Sequence, residues 1–412
     1  MGTDMKPKSA KKAKWWQKIL LAVCSPLVVL LLAEGVFRLF GINTDLARNK
    51  NFDIAVPVWL LADSNWVRNE YDRLNQPKGV KAVDIAWFAN FVEARYIQYK
   101  LKPHIDVQAV NPFNDIEVRK NITFRITSNK AGFRTRDFTR KKKGTYRIVT
   151  LGDSSTFGWG VDPEYTWQHL LERRLLPKFG ALEVFNLGLS GFTTRHGLGV
   201  LRHYASSLEP DLLILGFGAN DGRYVLQPAD AVLAVDDTFL GTLRWTLLKL
   251  KTVQWIRSWI FSVYDPFKNI VPPAGQPRRS RIPSVPLDEY RRNLQTLIAE
   301  GKKQGATSVL LSLCAPDDYA RAMLEIAESE HLPYVDGKDV FLSSVERIKA
   351  GSLYPTEAAY ERSIYGDEAM AKNQWLYVTS DGCHPNRTGT NIIADALADA
   401  VEKAVRGLSR PK

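Results

Sequence analysis

Tyr146-Arg147-Ile148-Val149-Thr150-Leu151-Gly152-Asp153-Ser154-Ser155 is the stretch from which the fold can be read. Its first half is a nearly continuous apolar run, the pattern of a strand buried on both faces. Its second half is a glycine followed by small polar residues, the pattern of a turn at a strand end. Four more runs of the same kind follow, and strands are expected at 146–151, 183–187, 212–217, 307–313 and 332–335. Between and after them, helical periodicity is read at 165–177, 194–207, 287–304, 317–329 and 388–404. Alternation of apolar strands with helices predicts a parallel sheet covered on both faces. In such sheets ligands bind beyond the C-terminal ends of the strands. Ser154, Gly191, Asn220 and Cys314 each fall just after an expected strand.

The chain has 412 residues, 45% hydrophobic and 24% charged, which is globular composition with room for one large domain or two ordinary ones. Its net charge is +12. Much of the excess is local: Lys6, Lys8, Lys11, Lys12, Lys14 and Lys18 stand against one acid, Asp4, and Arg140-Lys141-Lys142-Lys143 form a second basic run. With no helix-turn-helix, zinc-finger or RNA-binding signature, this charge does not indicate nucleic acid. Ile19 to Ala33 carries no charge, and Trp15 and Trp16 stand at its start, where indoles favour a membrane interface. Val36, Phe37, Leu39 and Phe40 can lengthen it toward a full span if Glu34 and Arg38 snorkel or face each other one turn apart. An uncleaved signal anchor is favoured over a cleaved signal, because Leu31 and Glu34 spoil a small-x-small cleavage site. The lysines place the N-terminus in the cytoplasm and the rest outside.

The expected organisation is therefore a basic tail at 1–18, an anchor at 19–40, and an elaboration at 41–140 packed on a main domain at 141–408. An insertion occupies about 222–286. Its centre, 243–261, reads as one aromatic, basic, amphipathic helix, either at a membrane surface or lidding the site, or packed on its own domain. Of three cysteines, Cys24 lies in the apolar segment. Cys314 and Cys383 would be exported, and the sequence leaves open whether they pair. No Cys/His spacing suggests a metal site.

The chemistry is concentrated in four blocks. Gly152-Asp153-Ser154-Ser155 offers a hydroxyl at a helix N-terminus. Asn186-Leu187-Gly188-Leu189-Ser190-Gly191 offers a glycine N–H, and Gly218-Ala219-Asn220-Asp221 an amide. Asp381-Gly382-Cys383-His384-Pro385 offers a base with a carboxylate three residues before it. His169, His196 and His203 lack that neighbour. A nucleophile, a base and an orienting acid form one group, and donors for an oxyanion form the other.

These blocks, in this order, resemble the SGNH hydrolases of the GDSL esterase/lipase superfamily, over residues 129–404. Gly132-Phe133-Arg134 ahead of Gly152–Gly160 is similar to a bacterial branch with an N-terminal membrane segment. The residue after Gly-Asp-Ser is Ser155, where the name motif has leucine. The resemblance implies a flavodoxin-like three-layer α/β/α sandwich and serine ester hydrolysis without metal or cofactor. Ser154, Asp381 and His384 would be catalytic, and Ser154 N–H, Gly191 N–H and Asn220 would form the oxyanion hole. Trp159, Arg279 and Arg281 are further candidates for substrate contact. The substrate expected of an anchored envelope enzyme is an O-acylated carbohydrate or lipid. An O-acyltransferase on the same residues and a non-catalytic glycan-binding or assembly protein remain the alternatives.

Overall fold

The computed structural model describes residues 15–51, 55–61, 90–110, 123–225, 238–264, 282–370, 376–378 and 382–408. The five apolar runs form strands β1 (Tyr146–Gly152), β2 (Leu182–Asn186), β3 (Leu212–Gly216), β4 (Thr307–Ser312) and β5 (Tyr334–Asp336). They make one sheet in the order β2-β1-β3-β4-β5, every neighbouring pair parallel. Ile148 lies opposite Val184 on one side and Leu212 on the other. Leu212, Leu213, Ile214 and Leu215 are all buried, so β3 has no solvent face and alternation has no place in its sequence. The order is that of a flavodoxin-like sheet, whose connections diverge between β1 and β3.

Helices α1 (Trp167–Phe179), α2 (Thr194–His203), α3 (Leu287–Lys303), α4 (Asp317–Ser329), α5 (Gly337–Lys349), α6 (Pro355–Ala369) and α7 (Arg387–Leu408) cover the sheet. On one side α7 packs on α1 and α5; on the other α3 packs between α2 and α4. Trp167, Leu171, Ile214, Leu311, Ile393 and Leu397 belong to the core under α1 and α7. The three-layer expectation holds. Helices α5 and α6 were not expected. In α6, Gly366 has non-helical angles inside the helix, which blurs the periodicity of its sequence.

Two compact units separate, one within Met1–Ala62 and Asp236–Pro266, the other within Asp63–Val235 and Phe267–Lys412. The sheet and helices α1–α7 belong to the second. Among the described residues the second also holds three small antiparallel pairs, Phe91–Ala94 with Gln98–Leu101, Asp106–Val110 with Thr123–Thr127, and Tyr224–Val225 with Ile282–Pro283. In the first unit, Trp15–Leu39 is a 25-residue helix that continues through Pro26. At 1.5 Å per residue it is about 37 Å long, more than the ~30 Å of a bilayer core. It is long and apolar enough to cross a membrane. Of the two arrangements expected for Glu34 and Arg38, they take the facing one, an ion pair at 2.6 Å. The lysines before Trp15 lie outside the described residues. The segment read as one helix at 243–261 is two, Phe239–Leu248 and Lys251–Val263. Leu250 takes an extended conformation between them (φ −74°, ψ 128°) and ends the continuous periodicity.

Gly152 and Gly216 face each other where β1 and β3 end. A Cβ at Gly152 would stand 2.4 Å from the Gly216 carbonyl oxygen and 2.1 Å from Thr156 Oγ1. Gly152→Ala is therefore expected to destabilise the domain by about 1–3 kcal/mol, the usual cost of overpacking. Gly216→Ala meets only the Thr156 hydroxyl, at 2.6 Å, at its closest point and should cost less. Denaturant midpoints of the two variants, compared with the parent chain, check the order.

Candidate active site

Ser154 opens a single helical turn, Ser154–Phe157, directly beyond β1. Asp153 caps that turn: its carboxylate accepts the Ser155 N–H at 2.9 Å. Burial pushes the Asp153 carboxyl up to about 6, against the opposing pull of the Ser155 N–H and the charge of His384. Asp153 therefore shapes the turn. Three groups fix the turn from outside. Trp167 Nε1–H donates to the Ser155 carbonyl at 3.2 Å and Gln168 Nε2 to the Thr156 carbonyl at 2.5 Å, both from the first turn of α1. The third is Arg134, buried at the centre of a ring of carbonyls. It donates to those of Gly158 (2.5 Å), Val161 (2.6 Å), Arg125 (2.7 Å) and Phe157 (3.2 Å). Burial lowers its guanidinium to about 9. A cation with this many acceptors clamps the loop that follows the serine.

His384 Nε2 lies 2.9 Å from Ser154 Oγ, across 230 positions of sequence. The two short segments around it are paired backbone to backbone. Val378 N–H donates to the His384 carbonyl and Asn386 N–H to the Leu376 carbonyl, each at 2.8 Å. Cys383 is bonded to Cys314, with Cα atoms 5.0 Å apart, so the question left open by the sequence has an answer. That bond ties the residue before His384 to the loop after β4. Ser155 adds a further tie, its hydroxyl donating to the Cys383 carbonyl at 3.0 Å. The serine that departs from the name motif thus joins the Ser154 turn to the histidine loop. Behind His384, the Arg387 N–H at the start of α7 donates to Glu361 at 2.9 Å. The Arg387 guanidinium lies between the rings of Tyr165 and Tyr360, 3.9 and 3.8 Å from their centroids, and pairs with Asp162 at 2.8 Å.

The second and third blocks are laced together. Gly191 takes a left-handed φ of 83°. An added Cβ there would come within 2.5 Å of Tyr99 Oη, whose hydroxyl donates to the Ser190 carbonyl at 2.5 Å. Only glycine fits both constraints. Asn220 Nδ2 donates to the Phe192 carbonyl at 3.1 Å, which orients its amide and leaves a second N–H. Asp221 is fully buried and accepts Thr194 N–H (2.9 Å), Thr194 Oγ1–H (2.6 Å) and Gly218 N–H (3.2 Å). Burial pushes its carboxyl up to about 7.

The remaining candidates divide. Trp159 is 3% exposed, its ring packed on Phe124 and Phe157, so it is a core residue and presents no face to a substrate. Asp381, Arg279 and Arg281 lie outside the described residues. His196 is buried and stacked on Phe192, and burial, with Arg195 nearby, lowers it to about 3. It accepts the Thr193 N–H at Nδ1 and serves as a helix cap. His203 stacks on Tyr96. Among the described residues, no group of three or more His, Cys, Asp or Glu could hold a metal ion. Sequence reading missed Tyr99, the clamp at Arg134 and the brace at Glu361. Only Arg134 carried a signal, its place in Gly132-Phe133-Arg134.

Burial pushes the Glu361 carboxyl up to about 8, against the Arg387 and Thr388 N–H groups and the Arg387 charge. A carboxyl raised on folding binds more protons in the native state, so stability falls as pH rises from about 4.5 to about 8, by up to ~1.4 kcal/mol per pH unit. Glu361→Gln keeps the acceptor without the titration. It is expected to match the parent near the acid end of that window and to exceed it near the alkaline end. Unfolding midpoints at the two ends check this.

Residues 150–362 match the model of the GDSL-like lipase/acylhydrolase family, just over half of the chain. An arylesterase of Vibrio mimicus is 37% identical over 76 residues, 18% of this chain and 38% of that protein. Esterase TesA of Pseudomonas aeruginosa is 32% identical over 82 residues, 20% of this chain and 41% of that one. The chain thus spans about two fifths of the curated relatives it matches. Among solved structures, esterase EstA from Pseudoalteromonas sp. superposes with a TM-score of 0.36 at 16% identity, covering 63% of this chain and 98% of EstA. A variant of the acetylxylan esterase Axe2 from Geobacillus stearothermophilus gives 0.34 at 19%, covering 63% and 96%. With the family's span beginning inside β1 and running through the serine, glycine and asparagine blocks, the chain belongs to the GDSL-like lipase/acylhydrolase family.

Proposed function

We propose that the chain is a membrane-anchored serine esterase that cleaves O-acyl esters of envelope carbohydrate or lipid through an acyl-enzyme. The observation that carries this reading is the 2.9 Å approach of His384 Nε2 to Ser154 Oγ beyond β1. His384 takes the Ser154 proton as Oγ attacks the ester carbonyl carbon. The carbonyl oxygen becomes an oxyanion, met by Ser154 N–H, Gly191 N–H and the free N–H of Asn220. Collapse breaks the bond to the alkoxide, which leaves with the proton held by His384. Water, deprotonated by the same nitrogen, then attacks the acyl carbon; collapse breaks the bond to Ser154 Oγ, which takes the proton back from His384, and the carboxylic acid leaves. Asp381 orients His384 through Nδ1 and stabilises the imidazolium. The curated relatives, both named as esterases, support ester hydrolysis.

For location, the support is the N-terminal helix and the disulfide. Trp15–Leu39 fits a single span, with the lysines before it in the cytoplasm. The Cys314–Cys383 bond suits an oxidising compartment outside the membrane.

An activated fluorophosphonate is expected to label the parent chain at Ser154, not to label Ser154→Ala, and to react about 10⁴-fold more slowly with His384→Ala. Labelling that survives Ser154→Ala overturns the reading. Reduction of Cys314–Cys383 should lower kcat on a chromogenic acyl ester. A displacement of the histidine by about 1 Å is enough for ~10²-fold. The Cys314→Ser variant should start at the reduced level and ignore reductant, a comparison made by steady-state kinetics with and without dithiothreitol.

A further inference from the structure

The hairpin Phe239–Leu248 and Lys251–Val263 is built inside out. Along its second helix the exposed positions are Trp255, Ile256, Trp259, Ile260, Val263 and Tyr264, spaced on one helical face. Trp259 is 60% exposed and Val263 68%. The opposite face is polar and turned inward. Thr252 is buried; Ser258 Oγ donates to the Leu46 carbonyl; Thr44 Oγ1 donates to Gln254 at 3.0 Å. Asn49 donates from Nδ2 to the carbonyls of Phe261 and Tyr264, each at 2.7 Å. The first helix exposes Phe239 (80%) and Leu240 (72%) at its start. A helix on the surface of a water-soluble domain has the reverse arrangement, with its apolar stripe inward.

Two features identify what covers this face. The first is continuity with the N-terminal helix. The second hairpin helix packs on it, with Phe37 and Trp255 rings 6.1 Å apart. Glu34 accepts Thr252 N–H at 2.9 Å and Thr252 Oγ1–H at 3.0 Å, so the last turns of the apolar helix cap the start of the hairpin helix. The second is charge. From Phe239 to Val263 there are Arg244, Lys249, Lys251 and Arg257 and no acid. Indoles with apolar neighbours and cations without acids are the composition of a helix lying in an anionic headgroup layer.

We propose that this hairpin is an interfacial element. It lies in the headgroup layer of an anionic bilayer on the side where the C-terminal end of the N-terminal helix emerges. Leu240, Trp255, Trp259 and Ile260 reach the acyl boundary. The inference rests on the reading of Trp15–Leu39 as a span and goes beyond it. A span alone needs no second, in-plane contact. The hairpin makes the anchor a two-part device, one helix across the bilayer and two along it, that restricts rotation of the first unit about the membrane normal.

The test uses the full chain in vesicles of phosphatidylglycerol and phosphatidylcholine with brominated acyl chains. A fluorescent thiol probe is placed, in a Cys24→Ser background, at Trp259→Cys, at Leu240→Cys or at Val28→Cys. Cys24 is the one cysteine outside the disulfide. Val28 reports the span itself. The expected result is that brominated lipid quenches all three probes, by about twofold or more for side chains seated about 5–10 Å into the headgroup and acyl boundary. Aqueous iodide should quench none strongly. Lipid quenching at Val28 with iodide quenching at both hairpin positions overturns the proposal and leaves the anchor intact. Hairpin probes shielded from both quenchers mean that protein covers the face, and overturn it as well. Absence of lipid quenching at Val28 removes the span, and the proposal with it. The two hairpin positions keep the test valid if one variant misfolds.

Discussion

One contact, Ser154 Oγ to His384 Nε2, has to be held to within a few tenths of an ångström by chain segments that are 230 residues apart. The neighbourhood of that contact is organised by this requirement. On the serine side, β1 is pinned between β2 and β3 and ends on a glycine, so the Ser154 turn starts from an interior strand of the sheet. On the histidine side, among the described residues, no strand of the sheet does the same work. The loop instead borrows rigidity from a covalent bond to the loop after β4, from two backbone hydrogen bonds with 376–378, and from the brace of Glu361 and Arg387 at the start of α7.

The polar interior has the same logic. Arg134, Asp153, Asp221 and Glu361 are all buried, and desolvation shifts each toward its neutral form. A buried polar group is tolerated when its hydrogen bonds are made, and it then fixes one geometry among many. Each of the four does so by binding backbone: Arg134 collects carbonyls, and the three acids collect N–H groups. Loops at the end of a parallel sheet have at most a few backbone pairs of their own, and these side chains supply further partners.

The sheet was legible because its strands are buried on both faces, which leaves an unbroken apolar run between turn residues; Leu212 to Leu215 are the clearest case. The four sequence blocks around the candidate site were legible because each directly follows a strand or carries an unusual spacing. What stayed hidden depends on tertiary contacts that leave no local trace. Trp159 looks like a rim residue beside the serine until Phe124, from a distant hairpin, is seen to cover it. The break at Leu250 interrupts a stretch whose residues all suit a helix. Glu361 reads as one more surface acid on α6, and only its burial against the N-terminus of α7 marks it out.

The Cys314–Cys383 bond closes a loop of 69 positions, and that loop contains α4, β5, α5 and α6. β5 is the edge of the sheet and only three residues long. A strand so short has few ladder bonds to lose, and a sheet usually frays from such an edge. Cross-linking a loop of this size removes unfolded-state freedom worth ~4 kcal/mol in the chain-entropy model. The bond beside the histidine therefore also acts as a selvedge. It limits how far the segment that carries this edge can stray from the rest of the domain when the edge opens.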